Sequence, residues 1–421
     1  MNIAEKNALP GGFSLAYYIG DRKTGAISVV KNGADGCETI RIPQLAETGL
    51  DAMRRPMMAG LTEEYKVVLF DPVAKTISFS DGLPADAFPA HLYRDGYSVR
   101  AWFMNDGDKE TGNDTLNCDD KGSSVTVIEA VDSARARYLG TICVGRGHHQ
   151  AAYSRPTDAA PGVPAKAYIS NLKDGSLSVI GNDPGDVDSY LQVVATIDLL
   201  ETDKESEPVS PGAGNNSFPH GIDFASKIGL IYNLNNGYGT VAVIDPKADE
   251  IIDRIPFKGH SNLFATPCGG YLIGRGADRK SDPEHVVARL SVLDAGKRET
   301  VASIELSDVY ISKYFFSPDG TRLYLTASAS GSPEQQANCK ADALLIIDLT
   351  SLPELRVMKE LRLGASVGTL DFQTLGDGST RVFASLGENG EVAVLDGDGS
   401  SVTKLSVAPG GKHSRLWLIA G

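Results

Sequence analysis

The chain has 421 residues, and 42% of them are apolar, which is enough to bury a large core. Its formal net charge of −14 argues against nucleic acid or an anionic membrane as a partner, because both are bound by basic surfaces. No apolar run is long enough for a transmembrane helix, and no secretory signal is visible. We therefore expect a cytoplasmic protein, or a periplasmic one if a signal segment has been removed.

The cysteines are scattered along the chain, and no two of them have the C-x-x-C spacing of a metal-binding motif. We expect neither a disulfide framework nor a zinc–thiolate site from this pattern. The five residues are Cys37, Cys118, Cys143, Cys268 and Cys339.

A short β-hairpin recurs along the chain. Each copy has alternating β-branched and aromatic residues on both sides of a turn rich in Asn, Asp and Gly. Repeats of about four strands are typical of propeller blades. The pattern therefore predicts an all-β protein, a single seven-bladed β-propeller with four-stranded antiparallel blades over residues 1–421. The clearest copies span residues 16–30, 167–180, 230–245 and 382–396.

The blade count depends on one ambiguous stretch, residues 51–80. Residues 44–55 could form a short helix, and strands within residues 65–79 could form an eighth, reduced blade. The N-terminal hairpin and the lone C-terminal strand, residues 414–420, are expected to complete one blade together and so close the ring. We predict seven inner strands that start near His91, His149, His220, His260, Lys313, Gly368 and His413.

Histidines lie at the predicted starts of the inner strands, and these starts converge on one mouth of the central channel. Imidazole suits copper, iron and zinc, so the pattern predicts a shared metal site with copper as the first choice. For any single histidine, the alternative is an ordinary hydrogen bond to backbone or water. His285 lies out of phase in an inserted loop and is expected at the surface. The predicted ligands are His91, His148, His149, His220, His260 and His413.

Three basic residues are further candidates for the site. Lys313 occupies the histidine position of its own blade and is the candidate catalytic residue; it could tune a ligand, hold an anion or plug the channel. Arg146 and Arg275 are candidates for binding an anionic substrate. The asparagines of the hairpins are most simply interpreted as turn formers; they are Asn105, Asn171 and Asn233.

The repeated phrases resemble those of seven-bladed propellers of the Tyr-Val-Thr-Asn repeat type. The matching segments are residues 167–171, 230–233 and 220–224. The tandem pair His148 and His149, and the segment 100–106 that follows His91, resemble the catalytic domain of nitrous oxide reductase and of copper-dependent thiocyanate dehydrogenase. The resemblance does not include a cupredoxin domain. It implies that all six channel histidines are copper ligands and that Lys313 is a charged residue beside them.

Three functions are compatible with these features. The first is a metal-dependent oxidoreductase that acts on a small inorganic or sulfur- or nitrogen-containing substrate, with a possible redox partner protein. The second is a non-catalytic propeller that serves as a protein-interaction or metal-binding scaffold. The third is a lactonase-like hydrolase, for which paired carboxylates of convincing phase are not evident. No nucleophile elbow, phosphate loop or dinucleotide motif is recognisable, so no organic cofactor is predicted.

Overall fold

The computed structural model describes residues 14–19, 26–31, 36–41, 45–54, 57–62, 67–71, 74, 76–80, 89–95, 100–105, 118, 123–132, 135–205, 214–407, 411 and 414–420. Within these residues the protein is almost entirely β, with one short helix, α1 (Pro333–Asn338), in an inserted loop. None of the described helices is long and apolar enough to cross a membrane. The strands form four-stranded antiparallel sheets, each of which is one blade.

The blades are numbered here by their position around the ring. Blade 1 contains β4 (Leu45–Arg54), β5 (Met57–Thr62), β6 (Val67–Asp71) and β7 (Thr76–Ser80). Blade 2 contains β8 (Pro89–Arg94), β9 (Arg100–Asn105), β10 (Ser124–Asp132) and β11 (Arg135–Cys143). Blade 3 contains β12 (His148–Ser154), β13 (Lys166–Asn171), β14 (Ser176–Gly181) and β15 (Val193–Asp198). Blade 4 contains β16 (Pro219–Ala225), β17 (Leu230–Asn235), β18 (Thr240–Asp245) and β19 (Glu250–Pro256).

The second half of the chain continues the pattern. Blade 5 contains β20 (Asn262–Ala265), β21 (Tyr271–Asp278), β22 (Val287–Asp294) and β23 (Glu299–Ser307). Blade 6 contains β24 (Ile311–Phe316), β25 (Arg322–Ala327), β26 (Ala343–Asp348) and β27 (Arg356–Arg362). Blade 7 contains β28 (Val367–Thr374), β29 (Thr380–Leu386), β30 (Glu391–Asp396) and β31 (Val402–Ser406). Blade 8 combines β1 (Ser14–Ile19), β2 (Ala26–Lys31) and β3 (Gly36–Arg41) with β32 (Ser414–Ala420).

The structure confirms the predicted propeller of four-stranded antiparallel blades. Each of the seven predicted inner strands is the edge strand on the channel side of its sheet, and the ambiguous stretch forms a further sheet, blade 1, so the described strands form eight blades and not seven. Residues 45–54, considered as part of a short helix, form β4 instead. Strand β32 pairs antiparallel with β1, so blade 8 joins the two ends of the chain.

Apolar clusters between neighbouring blades hold the ring together. One cluster joins blades 5 and 6 through Phe264, Leu290 and Leu325. Similar clusters join blades 2 through 5 in sequence, blade 6 to blade 7, blade 7 to blade 8, and blade 8 to blade 1. Blades 1 and 2 meet through β4 and β8. Burial of both faces of every blade removes apolar surface from water, which a lone four-stranded sheet cannot achieve.

Tyrosines at equivalent positions of several blades join each of these blades to the next one. Three tyrosines in second strands are buried, and each phenol donates a hydrogen bond to a turn of the following blade. Tyr168 reaches Asp249 at 2.8 Å, while Tyr232 and Tyr324 reach the carbonyl oxygens of Ala295 and Gly397, each at 2.5 Å. The repeat signal in the sequence therefore reflects contacts between blades.

The hairpin asparagines are not turn formers, which corrects the simplest interpretation of the sequence. Asn105 and Asn171 are buried at the ends of second strands and donate to hydroxyl groups of the third strand at 3.0 Å. Asn233 is also buried and donates to Asn235 at 2.8 Å. Burial away from water requires such partners for the amide groups, so these residues fix the strand pairing.

The structure contains a disulfide between Cys118 and Cys143, so the expectation of no disulfide is wrong. The two residues are separated by 25 positions, and the Cα atoms are 5.6 Å apart. Cys143 ends β11, and Cys118 lies in the connection between β9 and β10. Antiparallel pairing of β10 with β11 brings these positions together, and a spacing rule cannot show this.

Candidate functional site

Basic side chains from several blades meet in a cavity of about 580 Å³ on the axis of the ring. The cavity is lined by inner strands of blades 2, 6, 7 and 8 and by β21 of blade 5. Blades 2 and 6 lie on opposite sides of an eight-bladed ring, so a cavity that touches both occupies the central channel. The charged residues in its wall are Arg94, Arg275, Lys313, Asp371 and Arg415.

The structure brings together two of the residues predicted from the sequence, Lys313 and Arg275. The ammonium group of Lys313 donates a hydrogen bond to the carbonyl oxygen of Gly368 at 2.8 Å. The guanidinium of Arg275 donates through Nη1 to the carbonyl oxygen of Ile311, and its Nε is buried without a described partner. Both acceptors are neutral carbonyl oxygens, so neither hydrogen bond compensates the positive charge of its donor.

Among the described residues of the wall, the one carboxylate is already engaged by the backbone. Asp371 is buried, and it accepts hydrogen bonds from the N–H groups of Phe372 at 2.9 Å and Leu418 at 2.8 Å. Its second contact joins blade 7 to blade 8. The cavity thus carries four basic side chains and one acidic one, in a protein whose overall charge is strongly negative. An anion is the ligand that this charge distribution favours.

Enclosure by the ring, together with the nearby positive charge of Arg415, lowers the pKa of Lys313 to about 8. The side chain is exposed to the solvent of the channel, but the surrounding protein weakens hydration of the ammonium form. A bound anion would have the opposite effect, because it stabilises the charged amine. Sequence reasoning missed Arg94 and Arg415, which line the same cavity as Lys313 from other inner strands.

The predicted histidines are only partly brought together. His91, His148, His149 and His220 all lie in inner strands of three consecutive blades, in agreement with the prediction for the backbone. The side chains of the first three lie outside the described part of the structure, and His413 lies outside it entirely. Among the described side chains, no three of His, Cys, Asp or Glu are close enough to share a metal ion.

His220 is half-buried near the channel site. Burial lowers its pKa, and the positive charge of Arg275 lowers it further. The backbone of Ser261, next to the inner strand of blade 5, also contacts this imidazole. His220 is therefore a neutral imidazole at pH 7, which is the form that binds metal ions.

His260 makes contacts inside its own blade that the sequence did not indicate. The ring is buried, stacks on Phe257 with 4.0 Å between centroids, and bonds through Nε2 to Ser291 at 2.9 Å. A Cβ at Gly274 would lie 2.1 Å from the Phe257 ring and 3.0 Å from the His260 ring, so this glycine leaves space for the stacked pair. These contacts give no support to His260 as a channel ligand.

Two other predicted residues lie away from the channel. Arg146 binds Asp174 through its backbone N–H and its Nε, both at 2.7 Å, in a separate cavity that also exposes the Cys118–Cys143 disulfide. His285 is exposed and contacts Asp308, as expected for a surface residue, and that contact raises its pKa. The anion-binding role predicted for Arg146 has no support from this ion pair.

The sequence matches no protein-family profile and no curated protein sequence. It is similar in structure to dihydro-heme d1 dehydrogenase NirN, with a TM-score of 0.56, 12% identity, and coverage of 96% of this chain and 75% of that chain. It is also similar to a putative 6-phosphogluconolactonase from Bacteroides uniformis, with a TM-score of 0.52, 12% identity, and coverage of 96% of this chain and 99% of that chain. The periplasmic gluconolactonase of Pseudomonas aeruginosa is a third similar structure, with a TM-score of 0.50, 13% identity, and coverage of 97% of this chain and 99% of that chain. This chain is a β-propeller. At these identities the likeness shows the fold alone.

The buried imidazole of His260 predicts a pH dependence of stability. Burial lowers its pKa to about 4, and Arg289 adds to the effect. In the unfolded chain this imidazole binds a proton near pH 6.5, whereas in the folded protein it stays neutral down to about pH 4. The free energy of unfolding is therefore highest above pH 6.5 and falls as the pH drops towards 4. We expect the stability advantage of the wild type over His260→Gln to shrink by roughly 3 kcal/mol between pH 7 and pH 4.

Urea unfolding at several pH values measures this difference. The exposed His285 is the control, because its raised pKa stabilises the folded state at low pH and predicts the opposite trend for His285→Gln. A constant difference between wild type and His260→Gln across the pH range would contradict the assignment of His260 as a buried neutral imidazole.

Proposed function

We propose that this propeller binds a small anionic molecule in its central channel. The observation that carries the proposal is that Arg94, Arg275, Lys313 and Arg415, from four blades, line one cavity. Asp371 is the one carboxylate among its described lining residues, and it already accepts backbone hydrogen bonds. A volume of about 580 Å³ lies in the usual range for small-molecule sites. The rigid strands hold the cations in place before the ligand arrives, which reduces the ordering cost of binding.

Oxalate is a suitable probe, because it is a compact dianion that can accept hydrogen bonds from more than one basic side chain. A hydrogen bond to a charged group contributes about 1.5–3 kcal/mol, or roughly 10- to 100-fold in affinity. We expect Lys313→Met to weaken oxalate binding by about this factor in calorimetric titration at low ionic strength, and Lys313→Arg to retain most of it.

Arg146→Gln is the matched control, since Arg146 is bound to Asp174 outside the channel. The oxalate affinity of this variant should stay within about twofold of the wild type, because the described contacts of Arg146 lie in the separate cavity. Equal losses in Lys313→Met and Arg146→Gln would mean that oxalate binds by general charge alone. No oxalate binding to the wild type would overturn the proposal.

A second candidate is the metal-dependent oxidoreductase, with copper as the first choice and a redox protein as partner. The supporting observation is that His91, His148, His149 and His220 lie in the inner strands of consecutive blades, one of them beside Arg275. These imidazoles would hold the metal, and the cationic wall would hold an anionic substrate next to it. A bound metal would supply Lewis acidity and electron transfer.

Elemental analysis tests the metal candidate. After incubation with copper and removal of loose ions, we expect about one equivalent or more per chain, and a clear loss in the double variant His149→Ala/His220→Ala. The surface variant His285→Ala should bind as much copper as the wild type. Copper below about half an equivalent, or unchanged binding in the double variant, would exclude this function.

The disulfide supports an oxidising compartment. Cytosolic thiols are kept reduced, while the periplasm and the extracellular space allow disulfides to persist. The Cys118–Cys143 bond therefore favours the periplasmic alternative over the cytoplasm. Such a location also suits the copper candidate and a soluble redox partner.

A further inference from the structure

Lys313 differs from the other cations of the channel in its chemistry. Guanidinium groups stay protonated at physiological pH, whereas a lysine amine can lose its proton and become a nucleophile. Lys313 is the one lysine among the residues described in the cavity wall. We propose that Lys313 forms an imine with the carbonyl carbon of an oxo acid whose carboxylate is bound by the arginines of the channel. The proposal rests on the anion site described above and names a substrate class for it.

The position of the amine fits this role. Lys313 is the third residue of β24, an inner strand, and Nζ is fixed at 2.8 Å from the Gly368 carbonyl oxygen while the side chain stays exposed to the channel. Arg275 on one side and Arg415 on the other line the same cavity. A 2-oxo acid bound through its carboxylate to either guanidinium carries its carbonyl carbon one bond away from that carboxylate. The amine and the electrophile therefore share a small volume.

The surroundings also favour the neutral amine. The charged and titratable groups that line the cavity with Lys313 are Tyr93, Arg94, Arg275, Tyr314, Asp371 and Arg415. Three of these groups are arginines with a positive charge. The carboxylate of Asp371 is engaged by two backbone N–H groups. Neighbouring cations and partial enclosure both lower the pKa of the amine, here to about 8, which is the usual way that an enzyme activates a lysine nucleophile.

The reaction balances without a further reagent. The lone pair of the neutral amine forms a C–N bond with the carbonyl carbon, and the π electrons of the C=O bond move to oxygen, which takes up a proton. Loss of water from this carbinolamine gives the imine. The sum is one amine and one carbonyl converted to one imine and one water, with no change in oxidation state. Donors from Arg275 and Arg415 can stabilise the oxygen as charge develops on it.

Hydride trapping tests the proposal. Cyanoborohydride reduces an imine to a stable secondary amine, which peptide mass spectrometry locates to one lysine. With pyruvate as the probe, we expect Lys313 to be labelled at least tenfold faster than any other lysine, with a rate that rises towards pH 8. Acetone has the same carbonyl but no carboxylate, and should label Lys313 at least tenfold more slowly than pyruvate does. Excess oxalate should protect Lys313.

Variants separate this inference from the proposed function. Lys313→Arg keeps the charge, so it should bind oxalate and show no labelling at position 313. Arg275→Gln should reduce pyruvate labelling at least tenfold, and Arg146→Gln should leave it unchanged. Oxalate binding without selective labelling of Lys313 would overturn the imine and leave the anion site standing. Absence of oxalate binding would overturn both. Equal labelling of Lys313 and surface lysines would also overturn the imine.

Discussion

The sheets of a propeller do not hydrogen-bond to one another through their strands, so side chains must supply the contacts between strands of different blades. In this protein the inner strands are joined by such contacts near the channel. Arg275 of blade 5 binds the carbonyl of Ile311, and Lys313 of blade 6 binds that of Gly368. Blade 7 reaches blade 8 through Thr369 and Asp371, which accept backbone N–H groups of β32. The channel wall is therefore fixed by the same residues that give it charge.

Because the same basic side chains join the blades and line the channel, the fold tolerates a cationic cavity at its centre. An unpaired charge in a protein is costly when it is deprived of hydrogen bonds, but Arg275 and Lys313 donate to the carbonyl oxygens of Ile311 and Gly368. The charge itself stays available for a ligand. Farther from the channel, buried tyrosines also join neighbouring blades. Each of them connects a second strand to a turn of the next blade; they are Tyr168, Tyr232 and Tyr324.

The sequence predicted the propeller because its signal is local. Hairpin turns and β-branched alternation repeat along the chain, and each repeat is one supersecondary unit. Side-chain direction at the site is not local. His260 was expected in the channel, but a glycine on the neighbouring strand, Gly274, opens space for its ring inside the blade. Likewise, Arg94 and Arg415 become neighbours of Lys313 only when distant blades close into a ring.

The central claim is that an anion binds in the channel against basic side chains from several blades. Diffraction at the selenium edge from crystals grown with selenate at low ionic strength tests it most directly, because selenate is a strongly scattering dianion. The account predicts an anomalous peak within hydrogen-bond distance of Lys313 Nζ and an arginine of the cavity, lost in Lys313→Met. An ordered protein with selenate at surface arginines and none in the channel would contradict it.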